Sequence, residues 1–484
     1  AAVVGVRQGK YSGPSPCAPT ARQAGGPRMT ETSDQSSGLK SIGRLLMAAG
    51  GARLVVLPLT GLCNLAIARI VTQAVGIEQF GVVMLVATLC QLLMFADLGT
   101  GAAVASSRAQ LDESGDAEVF RGTVLSAVRV TLWSSVILGL DAGAIGLFGA
   151  WPQLLGISQE HLASSLNISA VLALSAFAVA LPFSVGEAIL RGSGRIPEAV
   201  VLLGISPPAA LLLTLLFREL GVPALAYSLV LPLGALIAAV VCAVRAWTVD
   251  RVAVAGLLGK LLRPRAFPGV PIASTAVPMF IVMIGLPIAL QSDRVVIAHR
   301  LDVTELSNYS YAAQLYIPLW SVASTAALAL WPRFAKTDTD PAEARRGWLS
   351  GVAILSFLGV AMALAFVLCA GFLIGWMSDG QATPAWSLLL TFALLLFVQA
   401  AHVTTGIFLI APEQLRFQAI CVIALVLTNL PLSWVLAPYM GAAGPVLASA
   451  ITVLACQLVP GVWRVLRLTR ARQSDSRTAV AADA

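Results

Sequence analysis

Ionisable side chains interrupt several long apolar stretches of this chain: Arg53 and Arg69, Asp97, Glu187, the neighbours Asp293 and Arg294, and His402. A charge near the centre of a bilayer costs at least ~2.5 kcal/mol, so each asks for a partner or a task. Arginine has a planar fork that grips phosphate oxygens two at a time. Arg53, Arg69 and Arg294 are therefore candidates for lining a cationic path for a phosphate-bearing substrate. Arg53 and Arg69 are 16 residues apart. That is about 4.5 helical turns, which puts them on opposite azimuths and not on one stripe. Arg53 lies inside its apolar run; Arg69 lies near the far end, where it also reads as an interfacial anchor. Asp97 (in ADLGTG), Glu187, Asp293 and His402 are candidates for ion coupling or gating. Each has a structural reading beside it. Asp97 can bond to nearby backbone or to an arginine and lock a helix end. Glu187 is placed to pair with Arg191 at i,i+4. His402, in QAAHVTTG, can be a hydrogen-bonded packing residue. Asp293 and Arg294 point about 100° apart on a helix and so take different partners.

The elements that hold these residues follow from composition. The chain has 484 residues, 58% hydrophobic and 11% charged. Soluble domains carry about 25% charged residues. A bilayer core needs ~20 apolar residues per helix, and about twelve such runs can be marked. They fall near 46–71, 80–105, 122–147, 166–190, 197–217, 223–246, 270–297, 308–331, 349–373, 385–410, 415–437 and 442–465. The runs are continuous and do not alternate, which excludes a membrane β-barrel. The expectation is an all-α integral membrane protein of about twelve spans. The seven cysteines are scattered and form no CxxC pair, so neither a disulfide framework nor a zinc site is indicated. No metal or other cofactor is expected. Most tryptophans fall near span ends and read first as interfacial belt residues, second as platforms for sugar stacking.

The net charge of +7 does not point to nucleic acid, because its distribution follows the loops. Arg108 and Arg121, Arg191 and Arg195, the stretch from Arg245 to Arg265, Arg333 to Arg346, Arg416 and the C-terminal tail carry the basic residues. The alternate loops hold only Arg218 and Arg300. The positive-inside rule then puts both termini and the basic loops in the cytoplasm of a multi-pass protein of the cytoplasmic membrane. Residues 1–45 are expected to be a disordered cytoplasmic tail without an apolar signal region, with Met29 resembling a natural start. Three pairs of segments, such as GVPALAYSLV at Gly221 and GAAGPVLASAI at Gly441, repeat at an offset of about 220–230 residues. The expected organisation is a lobe of six helices over 46–246, a basic linker over 247–269, a second six-helix lobe over 270–465 and a cytoplasmic tail over 466–484. Parallel repeats of this kind leave a central cavity between the lobes.

Three stretches resemble a known family. AIARIVTQAVGIEQFGVVMLVATLCQLLMFADLGTGAAVASSRA is similar to the N-terminal signature of Wzx-type polysaccharide flippases, within the multidrug/oligosaccharidyl-lipid/polysaccharide (MOP) exporter superfamily. QSDRVVIAHRLDVTELSNYSYAAQLYIP resembles the D-R-x-x-I and NY-x-x-A-x-x-L segments of the same family, and NLPLSWVLAPYMGAAGPVLASAI adds a third match. The resemblance implies a flippase that moves lipid-linked oligosaccharide or polysaccharide precursors, with polyprenyl-pyrophosphate as the lipid carrier, from the inner to the outer leaflet by alternating access. It implies membrane lipids and glycan-assembly proteins as partners, and no nucleic acid. Two other readings compete. A MATE-type multidrug or ion antiporter would favour a cavity of acids and aromatics, whereas arginine is at least as prominent here. A membrane-bound glycan-processing enzyme would need a sizeable loop of catalytic groups. The longest alternate loop, FGAWPQLLGISQEHLASSL, offers only Glu160 and His161, and no nucleophile–base pair or nucleotide-binding loop emerges.

Overall fold

A computed structural model describes residues 31–251, 257–261, 277–328, 341–409 and 412–482. The expected tail over 1–45 and linker over 247–269 fall partly outside these residues; from Glu31 onward the backbone is helical. Residues from Leu45 on form one compact unit. Every regular element among the described residues is helical.

Nine helices are long and apolar enough to cross a membrane among the described residues, against the twelve runs expected. The difference has local causes. The segment Val55–Leu92 is 38 residues long. At 1.5 Å per residue it would run about 57 Å, nearly twice a bilayer core. It is bent at Gly76, whose φ of 81° and ψ of 169° no helix contains. Two expected spans thus lie on either side of one bend. The run at 270–297 is described from Val277, and it breaks at Ser292 into helices Val277–Gln291 and Asp293–Arg300. The run at 308–331 forms the helix Val303–Leu328, which carries Asn308, Ser310 and Gln314 on buried positions and is less apolar for that reason.

Close packing uses small residues, as expected where lipid competes with side chains for every apolar face. A Cβ built on Gly186 would lie 2.4 Å from the Ala243 backbone, so Ser184–Gly192 and Val230–Val249 touch main chain to main chain. Large apolar side chains such as Val55, Leu140 and Phe372 are turned outward, as on a lipid-facing surface. The main core draws on both halves of the chain. Phe80 from the first half stacks on Tyr311 from the second, ring centroids 4.2 Å apart and planes 7° from parallel.

Candidate functional site

The two halves of the chain meet where the Gly76 bend packs against the start of Val303–Leu328. The Gly81 amide donates to Ser307 Oγ at 3.1 Å, and Ser307 Oγ donates to the Ile77 carbonyl at 2.6 Å. Thr72 and Tyr311 share a hydrogen bond of 2.6 Å. Gly81 has no alternative here, because a Cβ would lie 2.5 Å from Ser307 Oγ and 2.9 Å from the Ser307 amide nitrogen. On the helix just before Gly76, Arg69 donates to the Trp376 carbonyl and to Asp379 Oδ1 at 3.4 Å, with its guanidinium 4.7 Å from the Trp376 ring centre. Arg69 thus clasps the other half of the chain and does not stand alone as an anchor.

Below this seam lies the pair Asp293 and Arg294, each only 2% exposed. The break at Ser292 starts a new short helix, and the two side chains leave it in different directions. Arg294 Nη1 donates to Thr88 Oγ1 of the first half at 2.8 Å, and the guanidinium lies 5.5 Å from the Tyr309 ring centre. Its Nε and Nη2 are buried without a hydrogen-bond partner. Such an arginine has donors to spare in a place where water is scarce. Asp293 accepts from Tyr309 OH at 3.4 Å and from Ser449 Oγ at 3.4 and 3.5 Å. These contacts are longer than the usual 2.5–3.0 Å for O–H···O, so the carboxylate is loosely held. A polar chain extends from it: Asn429 Nδ2 donates to Ser449 Oγ at 2.9 Å and to Thr452 Oγ1 at 3.2 Å.

The remaining candidates separate. Arg53 is half-buried, with no hydrogen bond or ion pair among the described residues. It lies roughly 35 Å of helix before Gly76, whereas Thr88, which holds Arg294, lies roughly 18 Å after it. Asp97 closes a short 3₁₀ turn, Met94–Asp97, and its Oδ1 accepts from the Gly99 amide at 3.1 Å. That bond braces the turn that leads into Thr100–Ser114, where Leu98 and Gly99 have φ of 51° and 74°. Glu187 pairs with Arg191 one turn on.

His402 faces a cavity of about 420 Å³. Its other polar lining comes from glutamines on five helical segments, Gln91, Gln291, Gln399, Gln418 and Gln457, and Trp320 forms part of the wall. Sequence reasoning missed these amides, because a neutral glutamine in an apolar run passes any charge-based filter. Among the described residues no group of three His, Cys, Asp or Glu side chains is placed to hold a metal ion. A second, almost wholly apolar groove of about 280 Å³ lies between Gly61 and Leu65 of the first helix and Pro318, Phe366 and Leu373 of the second half.

A family model described as polysaccharide biosynthesis protein matches residues 57–338. Among curated proteins no match was found. Among solved structures, an inward-facing multidrug resistance MATE family transporter of the MOP superfamily is 14% identical over 88% of this chain and 99% of its own, with a TM-score of 0.67. The lipid II flippase MurJ, in an inward closed conformation, is 13% identical over 86% and 87%, with a TM-score of 0.61. A MOP superfamily transporter from Pyrococcus furiosus, described as having a binding pocket of reverse polarity, is 14% identical over 89% and 96%, with a TM-score of 0.57. At these identities the likeness gives the fold alone, an all-helical one shared with those proteins.

Proposed function

The chain belongs to the polysaccharide biosynthesis protein family, and from that premise we propose that it is a flippase for lipid-linked glycan precursors. The observation that carries this reading is Arg294: a buried guanidinium with two unpartnered nitrogens, at the seam between the halves of the chain. A pyrophosphate headgroup cannot cross hydrocarbon with its charges unmet. An arginine already stripped of water binds phosphate oxygens more strongly than one in solution. The apolar groove beside Gly61 and Pro318 suits a polyprenyl tail, and the polar core suits its headgroup. The chain moves the lipid across the membrane and breaks no bond in it.

In this reading residues 46–246 and 270–465 are two lobes that rock about the seam, and Asp293, loosely held beside Arg294, is the group that couples movement to an ion or proton. The protein sits in the cytoplasmic membrane with both termini inside, which puts the Gly76 and Asp379 end outside. Cysteines at Gln159 and the exposed Gln381 should then be labelled from outside intact cells, and cysteines at Arg121, Lys260 and Arg345 only after permeabilisation. Labelling at Lys260 from outside would reverse the orientation and break the two-lobe scheme.

The direct test is a deletion strain. It should accumulate a lipid-linked glycan intermediate in the inner leaflet and lose surface glycan, with both restored by the wild-type gene. Unchanged lipid intermediates together with altered sensitivity to cationic drugs would favour the antiporter instead, a reading that the multidrug transporters among the structural neighbours keep in view.

A further inference from the structure

The cavity that His402 faces contains no charged side chain. Its polar groups are primary amides, and those of Gln91, Gln291 and Gln457 make no hydrogen bond to protein among the described residues. Gln399 spends only its carbonyl, which accepts from Tyr316 OH, and so keeps both N–H donors. His402 Nδ1 is likewise buried without a partner. None of these amides is sealed away from the cavity, so their donors and acceptors are open to whatever enters it.

One local feature sets this cavity apart. Gln457 lies in a π-helical turn, Leu454–Leu458, within an otherwise α-helical segment. A π-turn inserts an extra residue and rotates the side chains that follow, and such turns recur at functional sites. Gln457 is 8% exposed and lines the cavity wall. The volume of about 420 Å³ falls within the ~300–1,000 Å³ of small-molecule sites.

The chemistry of the lining selects the ligand. An amide both donates and accepts, as a sugar hydroxyl does, so glutamines can read hydroxyls and acetamido groups in either direction. A cation would want carboxylates, and an acidic sugar would want arginine or lysine; the cavity has neither. Trp320 supplies an aromatic face with a polar edge, fit for the C–H side of a pyranose. Gln291 ends the helix Val277–Gln291, three residues before Arg294 on the helix that follows the Ser292 break.

We propose that this cavity is a recognition subsite for neutral sugars, holding the sugar next to the pyrophosphate while Arg294 holds the phosphates. It rests on the flippase reading and narrows it: the carried glycan begins with a neutral hexose or N-acetylhexosamine, not with a uronic acid.

The test uses the full chain in lipid nanodiscs and four probes: undecaprenyl pyrophosphate bare, or bearing glucose, N-acetylglucosamine or glucuronate. Wild type should bind at least one of the neutral-sugar lipids about tenfold more tightly than the bare lipid, the gain of one or two net hydrogen bonds. It should bind the glucuronate lipid no better than the bare one. Gln457→Leu and Gln291→Leu, made separately, should lose that gain and keep bare-lipid affinity within twofold. A gain that survives both substitutions, or an equal gain with glucuronate, overturns the subsite. So does loss of bare-lipid binding in both variants, which would make the amides structural. Failure of wild type to bind even the bare lipid would instead sink the flippase reading itself, and the subsite with it.

Discussion

Replacing Arg294 with alanine should cut glycan export roughly 100-fold while the protein still reaches the membrane. The expectation comes from what the guanidinium has left to give. It is 2% exposed, spends Nη1 on Thr88 at 2.8 Å and leaves Nε and Nη2 unpaired. Each charge-assisted bond is worth about 1.5–3 kcal/mol. Two such bonds to a pyrophosphate, made in a water-poor site, account for about 3 kcal/mol, or roughly two orders of magnitude in rate. Arg294→Lys keeps the charge but not the fork and should recover about tenfold of the loss. A purely structural Arg294 would behave differently. Its task would then be to hold Thr88, so Thr88→Val would be as damaging as Arg294→Ala, and both would lower protein level. Surface glycan and membrane protein measured together for the three variants separate the two. Export within threefold of wild type in Arg294→Ala would remove arginine from the transport path.

How far such a site can be read in advance depends on the range of its contacts. Glu187 and Arg191 were legible because the pairing is local: four residues on a helix fix the geometry. Asp97 was legible in part, since its bond to Gly99 spans two residues, although the 3₁₀ turn around it has no apolar period to announce it. The apolar runs themselves follow from hydropathy alone, and all but a few coincide with helices. The clasp of Arg69 on Trp376 and Asp379 was not legible. Those partners are more than three hundred residues apart, and no local rule carries the register of one half of the chain against the other. The same holds for Arg294 and Thr88, 206 residues apart. Arg53 shares with Arg294 a place on the leading helix of its half, but no hydrogen bond or ion pair among the described residues ties it to the seam as Thr88 ties Arg294. The glutamine cavity was hidden by chemistry instead: uncharged amides pass a search for charged side chains, and a π-turn leaves no periodic mark in LACQL.

The other large effect should come from a residue with no side chain. Gly81→Val places a Cβ where Ser307 already stands, 2.5 Å from its Oγ, 2.9 Å from its amide nitrogen and 3.1 Å from its Cα. Two of those atoms are backbone, so no rotamer change relieves the clash and the halves of the chain must part there. Parting breaks the Gly81–Ser307 and Ser307–Ile77 bonds, the Thr72–Tyr311 bond and the Phe80–Tyr311 stack. At about 0.5–1.5 kcal/mol for each, the state closed at this end loses about 3 kcal/mol. A two-state transporter would then populate that state roughly 100-fold less. Alternating access needs both states, so export should fall at least tenfold. Thr72→Cys reports the opening: buried in the closed seam, it should react with an impermeant thiol reagent at least ten times faster when Gly81→Val is added. Ser307→Ala, which loses hydrogen bonds but forces nothing apart, should change export less than threefold. Normal export by Gly81→Val, with Thr72→Cys still protected, would mean that this seam stays shut throughout the transport cycle and that movement occurs elsewhere.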